Sequence, residues 1–289
     1  MFKPETTLEK IYSPCGVERL KDNKLQYIDL HIIDGCNYKC ARCFKFSPLC
    51  KDKGELDYDR VIADLKRLSE VTNQELRGIS IIGGEPLYSK DIVKYMDKSR
   101  ELFPNTDITI ISNGVLIPSM PNEFFESLKR NNIMIAISKY HDIEFYKNIE
   151  NVMKENGCGD RYVFNYFQQF EVTMFLQMEL DEHGRSDPKE MWDACCSKNG
   201  CVMLKDGKLW SCPSLCMKYI LNKHFNTNLI DYEEDGIDIY NHNLEEIIEH
   251  LKMPKKGCRY CTRKIYDAMY FPQWSKLRKS EWIRREEME

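Results

Sequence analysis

From about residue 25 to residue 177, short runs of β-branched and apolar residues alternate with segments whose apolar positions recur three and four residues apart. The runs at 27–33, 78–82, 107–111, 133–137, 161–165 and 171–176 predict strands. They are nearly continuous in apolar character, the pattern of strands covered on both faces. Between them, Val61, Ile62, Leu65, Leu68 and Val71 mark a first helix, and Ile92, Val93, Met96 and Phe103 a second that Pro104 ends. Phe124, Phe125 and Leu128 mark a third; Ile143, Tyr146, Ile149 and Met153 mark a fourth, with Asp142 as its N-cap. Repeated βα units of this kind make a parallel sheet, open or curled into a barrel.

The pattern changes after residue 178. A polar stretch with Pro188 sets a boundary near 180–192, and beyond it two apolar runs, 201–204 and 209–212, flank Lys205-Asp206-Gly207-Lys208. An Asp-Gly pair between apolar runs predicts a hairpin. A helix at 244–251 follows, then Cys258-Arg259-Tyr260-Cys261, and the tail from Trp274 is charged enough to read as a solvated helix. The expected organisation is an extension at 1–24, a barrel at 25–185, a small cysteine-rich hairpin/helix module at 186–273 and a tail at 274–289.

Composition narrows the chemistry. A formal charge of −4 over 289 residues gives no sign of a nucleic-acid partner, and no apolar run reaches membrane-spanning length. The N-terminal residues lack the apolar core of a signal peptide, so the expected location is the cytosol. Thirteen cysteines, an odd number, then point to metal rather than disulfides. Three fall at 36–43, none between 51 and 157, and seven between 195 and 261, which implies two metal centres.

Cys36, Cys40 and Cys43 follow the first strand, on the face where catalytic groups of βα barrels collect. Three thiolates leave a four-iron cluster one ligand short, as a catalytic site with an open position requires. On the same predicted face lie Gly83-Gly84-Glu85-Pro86 after the second strand, Ser112-Asn113-Gly114 after the third and Ser138-Lys139-Tyr140 after the fourth.

Over residues 25–177 the chain resembles the radical S-adenosylmethionine (SAM) superfamily, on its CxxxCxxC loop and its GGEP motif. The resemblance implies a partial (βα)6 TIM-like barrel and a 4Fe–4S cluster on Cys36, Cys40 and Cys43, with SAM on the fourth iron. It further implies that Gly83, Gly84 and Glu85 receive the methionyl amino group, and that Ser112, Asn113 and Ser138 contact ribose or methionine. The family has an aromatic residue before the third cysteine where this chain has Arg42; Phe44 is the substitute for an adenine contact.

The later cysteines resemble the SPASM and shorter twitch modules: four residues separate Gly207 from Cys212 and two separate Cys258 from Cys261, while eleven and ten residues separate Cys195 and Cys196 from Gly207. The implied second 4Fe–4S cluster is assigned to Cys196, Cys212, Cys258 and Cys261. Cys201 is an alternate, because a two-residue turn would set it opposite Cys212 with Cβ atoms about 4.5–5.5 Å apart, and Cys195 is another. A four-thiolate zinc site has overlapping spacing. Cys15, Cys50, Cys158 and Cys216 read as core residues or unpaired thiols.

The implied activity is reductive cleavage of SAM to a 5′-deoxyadenosyl radical that abstracts hydrogen from a small polar substrate of sugar or sugar-nucleotide type, for oxidation or epimerisation. Its partners would be that substrate and a reductant such as flavodoxin or ferredoxin. Asp29, His31, Lys139, Tyr140, His141 and Gln177 are the candidate substrate contacts, with His31, Lys139 and His141 also candidates for catalysis. The alternatives are a ribosomal-peptide maturase and a non-catalytic iron–sulfur or zinc protein.

Overall fold

Strands and helices alternate as the periodicity requires: β1 (Tyr27–His31), α1 (Tyr58–Val71), β2 (Gly78–Ile82), α2 (Ile92–Leu102), β3 (Asp107–Ser112), α3 (Asn122–Arg130), β4 (Met134–Ser138), α4 (Ile143–Glu155) and β5 (Tyr162–Asn165). The computed structural model describes residues 20–21, 24–165, 179–195, 201–262 and 274–284. The expected strand at 171–176, Gln177, Cys15 and Cys196 lie outside the described residues. Helix starts are fixed locally: Asp57 accepts the N–H of Arg60 and Asp142 that of Phe145.

β1 to β5 pair in parallel in chain order. Their alternate residues, Ile79, Ile81, Ile108, Ile110, Ile135 and Ile137, pack with Leu65, Leu68, Met96, Phe124 and Ile149 from the helices into one large core. Every strand therefore ends its run in the same direction, and the loops after them share one face.

The chain then continues through α5 (Pro188–Asp193), β6 (Met203–Lys205), β7 (Lys208–Trp210), α6 (Pro213–Phe225), β8 (Gly236–Asp238) and α7 (Leu244–Lys252). The predicted hairpin forms, with Lys205 opposite Lys208 and both turn residues at positive φ, Asp206 at 53° and Gly207 at 74°. That is the twist a two-residue hairpin needs. The hairpin does not stand apart. β6 pairs in parallel with β1, so among the described residues the sheet has eight strands in the order β8-β7-β6-β1-β2-β3-β4-β5. Asp64 of α1 fastens the turn, accepting the N–H of Gly207 at 2.8 Å and the hydroxyl of Tyr240 at 2.9 Å.

A second core forms between this extension and the loop after β1. It joins Phe46, Leu49, Ile82 and Met203 to Leu215, Met217, Ile220 and Leu221 of α6. It also takes in Trp282 and Ile283, which corrects the expectation of a solvated C-terminal helix. Residues 274–284 instead form a largely extended strap with one 3-10 turn at Lys279–Glu281, and Ile283–Arg284 pairs in parallel with Leu180–Asp181. Burial decides the outcome. Trp282 is fully buried, its ring centroid is 6.1 Å from that of Phe225, and its Nε1–H donates to the Cys43 carbonyl at 3.0 Å. A solvated helix would give up this apolar contact, and charge on the neighbouring residues does not offset that loss.

Trp282→Ala should cost about 3–5 kcal/mol, read as a lowered urea midpoint under anaerobic conditions. Trp282→Phe should recover most of that loss, since it removes the N–H but keeps the packing.

Candidate active site

Residues 32–50, immediately after β1, carry Cys36, Cys40 and Cys43. The loop enters along the end of β2: the N–H of Gly84 donates to Ile33 O at 2.8 Å and the N–H of Glu85 to Gly35 O at 3.0 Å. The approach is close enough to demand glycine. A Cβ on Gly83 would lie 2.6 Å from Ile33 O, and one on Gly84 only 2.3 Å from Gly35 O. Two left-handed residues, Arg42 at φ 59° and Phe46 at φ 57°, then bracket Cys43 and turn its thiol inward.

The three thiols are partly buried and feel one another. Burial pushes all three above the ordinary thiol range, Cys40 to about 12, and their mutual repulsion adds to the effect on Cys36 and Cys40. A cationic metal centre relieves both penalties, so the donor set fits an iron–sulfur cluster. Among the described residues, no three His, Cys, Asp or Glu side chains stand close enough to hold a single metal ion.

Glu85 joins this loop to the next two strand ends. Its buried carboxylate accepts the N–H of Leu87 at 3.1 Å, the hydroxyl of Ser112 at 2.7 Å and the N–H of Asn113 at 2.8 Å. Burial nevertheless raises it to about 7. Asn113 Nδ2 donates to Asn37 Oδ1 at 2.7 Å, inside the cysteine loop. Gly83, Gly84, Glu85, Ser112 and Asn113 are thus gathered beside Cys36. Ser138 is buried at the end of β4, and the phenol of Tyr140 bonds to it within reach of the charges of all three thiols. Phe44 is held through its carbonyl, which accepts the hydroxyl of Ser214 at 2.8 Å.

The candidate substrate contacts are placed differently. His31 is buried, with Nε2 2.9 Å from Asp34 Oδ1, and Asp34 also accepts the hydroxyl of Tyr219 from α6. Burial holds its imidazole down to about 4, against the opposing pull of Asp34. Lys139 lies over the rings of Tyr146 and Phe164 at 5.5 and 5.8 Å. His141 hydrogen-bonds Tyr38 inside the cysteine loop and stacks on Phe145 at 4.0 Å. Asp29 is buried on β1 and close enough to Lys45 to act on its charge.

Sequence reasoning missed Lys45, Asp34, Tyr219 and Trp282. Lys45 Nζ donates to Gly83 O at 2.9 Å and feels Asp29, Cys43, Cys201 and Cys36. Its position two residues after Cys43 was the available signal, but a loop lysine reads as solvated.

The second cysteine group also comes together. Cys212 is the N-cap residue of α6, followed by Pro213, and its thiol feels those of Cys195, Cys258 and Cys201. Cys258 and Cys261 lie at the turn Lys256–Tyr260, with the N–H of Cys261 on Cys258 O at 3.0 Å, and Cys258 feels both Cys261 and Cys195. Cys195, the end of the segment following α5, thus faces Cys212 and Cys258. Cys216 and Cys158 are buried elsewhere.

A parallel βα sheet with three cysteines after its first strand and a GGEP turn after its second defines a class. Residues 30–157 match the Radical SAM superfamily. The superfamily implies a 4Fe–4S cluster and SAM. Among curated proteins, the chain is similar to GTP 3′,8-cyclase of Alkaliphilus oremlandii, 29% identical over 184 residues, covering 56% of this chain and 55% of that protein. It is also similar to GTP 3′,8-cyclase of Clostridium acetobutylicum, 28% identical over 134 residues, covering 45% and 41%. The chain spans about half the length of the curated relatives it matches. Among solved structures, BtrN in complex with AdoMet and 2-DOIA aligns over 84% of this chain and 97% of that one, at 16% identity and a TM-score of 0.49. Streptococcus suis SuiB bound to precursor peptide SuiA aligns over 84% and 72%, at 11% identity and a TM-score of 0.41.

Two outcomes follow from this geometry. Gly84→Ala should force the loop off β2 and lower reconstituted iron by about four atoms per chain, measured by iron analysis. His31 binds its proton less readily folded than unfolded, so between pH 6.5 and about 4 the unfolded state takes up more protons and stability falls with falling pH. This contribution amounts to about 3 kcal/mol, and the difference in urea midpoint between wild type and His31→Gln should change over that pH window and level off outside it.

Proposed function

We propose that this protein reductively cleaves SAM and uses the radical to abstract hydrogen from a small polar substrate of sugar or sugar-nucleotide type. The observation that carries the reading is the gathering of Cys36, Cys40 and Cys43 against the Gly83–Glu85 turn, with Ser112 and Asn113 hydrogen-bonded into the same patch. Cys36, Cys40 and Cys43 would hold the cluster and leave one iron open to SAM; once reduced, the cluster would supply the electron that splits SAM into methionine and a 5′-deoxyadenosyl radical. The chain's own residues position the cofactor. The Gly83 carbonyl and the Glu85 carboxylate offer acceptors to the methionyl amino group, and Asn113, Ser112 and Ser138 offer polar contacts to methionine or ribose. Phe44 is the candidate for the adenine face. Lys45 already donates to Gly83 O, so an incoming ammonium would meet this side chain first.

Cys195, Cys212, Cys258 and Cys261 would hold a second cluster. Cys201, which feels both Cys212 and Lys45, remains the alternate, and Cys196 is outside the described residues. The name of the relatives, GTP 3′,8-cyclase, supports a nucleotide-like substrate. Oxidation and epimerisation are the two outcomes proposed for the substrate, and His31, Asp29 and Lys45 are candidate polar groups for it. Such an enzyme needs a reductant and acts away from membranes; no helix of the described residues is long and apolar enough to cross one.

Anaerobically reconstituted protein should bind about eight irons and form 5′-deoxyadenosine from SAM under dithionite. Cys36→Ser should abolish that product. Cys195→Ser and Cys258→Ser should each lower iron to about four per chain and spare part of the cleavage. Intact iron in Cys195→Ser with loss in Cys196→Ser would return the ligand to Cys196. No 5′-deoxyadenosine from fully loaded protein would refute the reading.

A further inference from the structure

The strap at 274–284 passes along the cysteine loop. Trp274 bridges to Cys40, the N–H of Ser275 donates to Lys39 O at 2.7 Å, and Trp282 donates to Cys43 O. Residues in a bridge lie side by side with Cα atoms about 4.5–5.5 Å apart, so the strap lies directly against Cys40. What the strap presents to solvent is specific. Trp274, Lys276 and Arg278 are exposed at alternate positions while Ser275 and Leu277 turn inward, and Lys39 is exposed on the adjoining loop.

Trp274 is 67% exposed, and its ring lies 5.5 Å from that of Tyr38, which sits between Cys36 and Cys40. Tyr38 in turn meets His141 at 5.7 Å, and Ile143, two residues further along the chain, is 69% exposed. Acidic groups on that far side are engaged: Asp142 caps α4 and Glu144 pairs with Lys147 at 2.7 Å. Lys279 pairs with Glu182 at the strap's other end. Glu281 Oε1 accepts the N–H groups of Lys276 and Arg278 at 2.9 and 3.1 Å, and an apolar centre rimmed by Lys39, Lys276 and Arg278, on a chain of net charge −4, favours an anionic partner.

We propose that this face is the docking site of the electron donor, an acidic protein carrying a one-electron cofactor of the flavodoxin type, which meets Trp274 and the strap's basic residues. This rests on the radical SAM reading above. The reduced donor loses one electron and the iron site behind Cys40 gains it; no bond is made or broken between the two proteins. The charges bring the partner in and orient it, so they govern encounter, and salt should weaken their effect.

The test uses the reconstituted full chain with two reductants, photoreduced flavodoxin and dithionite, and follows both bleaching of the cluster without SAM and 5′-deoxyadenosine formation with it. Lys276→Glu/Arg278→Glu should slow flavodoxin-driven bleaching about tenfold or more at low ionic strength, and leave dithionite-driven bleaching within about twofold. Lys66→Glu, on the outer helix α1, should match wild type with both. Added salt should slow wild type with flavodoxin and close most of the gap to the double variant. Equal slowing with both reductants would mean that the strap only supports the loop. An unchanged rate with flavodoxin would place docking elsewhere, and either result overturns the proposal. If wild type bleaches with dithionite but cleaves no SAM, the radical SAM reading fails while the docking comparison still reads out through bleaching.

Discussion

The contact between the Gly83-Gly84 backbone and the Ile33–Gly35 backbone is the constraint on which the rest of the site depends. Two main chains meet where a single methyl group would fall 2.3–2.6 Å from a carbonyl oxygen. Hydrogen bonds from Gly84 and Glu85 lock the approach. The glycines therefore act first on the cysteine loop, setting where Cys36 begins, and any role toward a cofactor is built on that placement. Glu85 follows directly: held at the end of this turn, its carboxylate reaches the N–H of Asn113 and the hydroxyl of Ser112 and ties a third strand to the same point. The cost is a buried carboxylate raised to about 7, which a cationic group nearby would offset.

Much of this was legible because parallel βα units impose a strong periodicity. Isoleucines at alternate positions of β2, β3 and β4 repeat as fully buried residues, and no other reading of 78–82, 107–111 and 133–137 puts them in one core. The cysteine loop and the GGEP turn were legible for a different reason. Their residue types are expensive anywhere else, paired glycines in backbone freedom and clustered cysteines in reactivity.

What sequence did not show depends on contacts between distant segments. The Asp206-Gly207 turn was evident, yet nothing local says that β6 will pair with β1 rather than fold apart; that choice is made by Asp64 and Tyr240, from two other elements. The tail failed for a related reason. Lys276, Arg278, Lys279, Glu281 and Arg284 dominate its composition, and one tryptophan among them outweighs the charges by entering the second core. Lys45 and Asp34 looked like loop charges because their partners, Gly83 and Tyr219, are 38 and 185 residues away.

These long-range contacts also bear on how two cysteine groups can act together. The cysteine loop is gripped on one side by β2 and on the other by α6, through Tyr219 on Asp34 and Ser214 on the Phe44 carbonyl. That same helix begins at Cys212, a member of the second group. The hairpin that precedes it is a strand of the barrel's own sheet. Direct contacts therefore join the first group's loop to the helix that carries Cys212, and a shift of that helix would move Asp34 and Phe44 together. Close-packed elements transmit such shifts rather than absorb them. Lys45, close to Cys36, Cys43 and Cys201 at once, is where the two groups meet electrostatically. A change of charge at either would be felt at this ammonium, and through it at the Gly83 carbonyl.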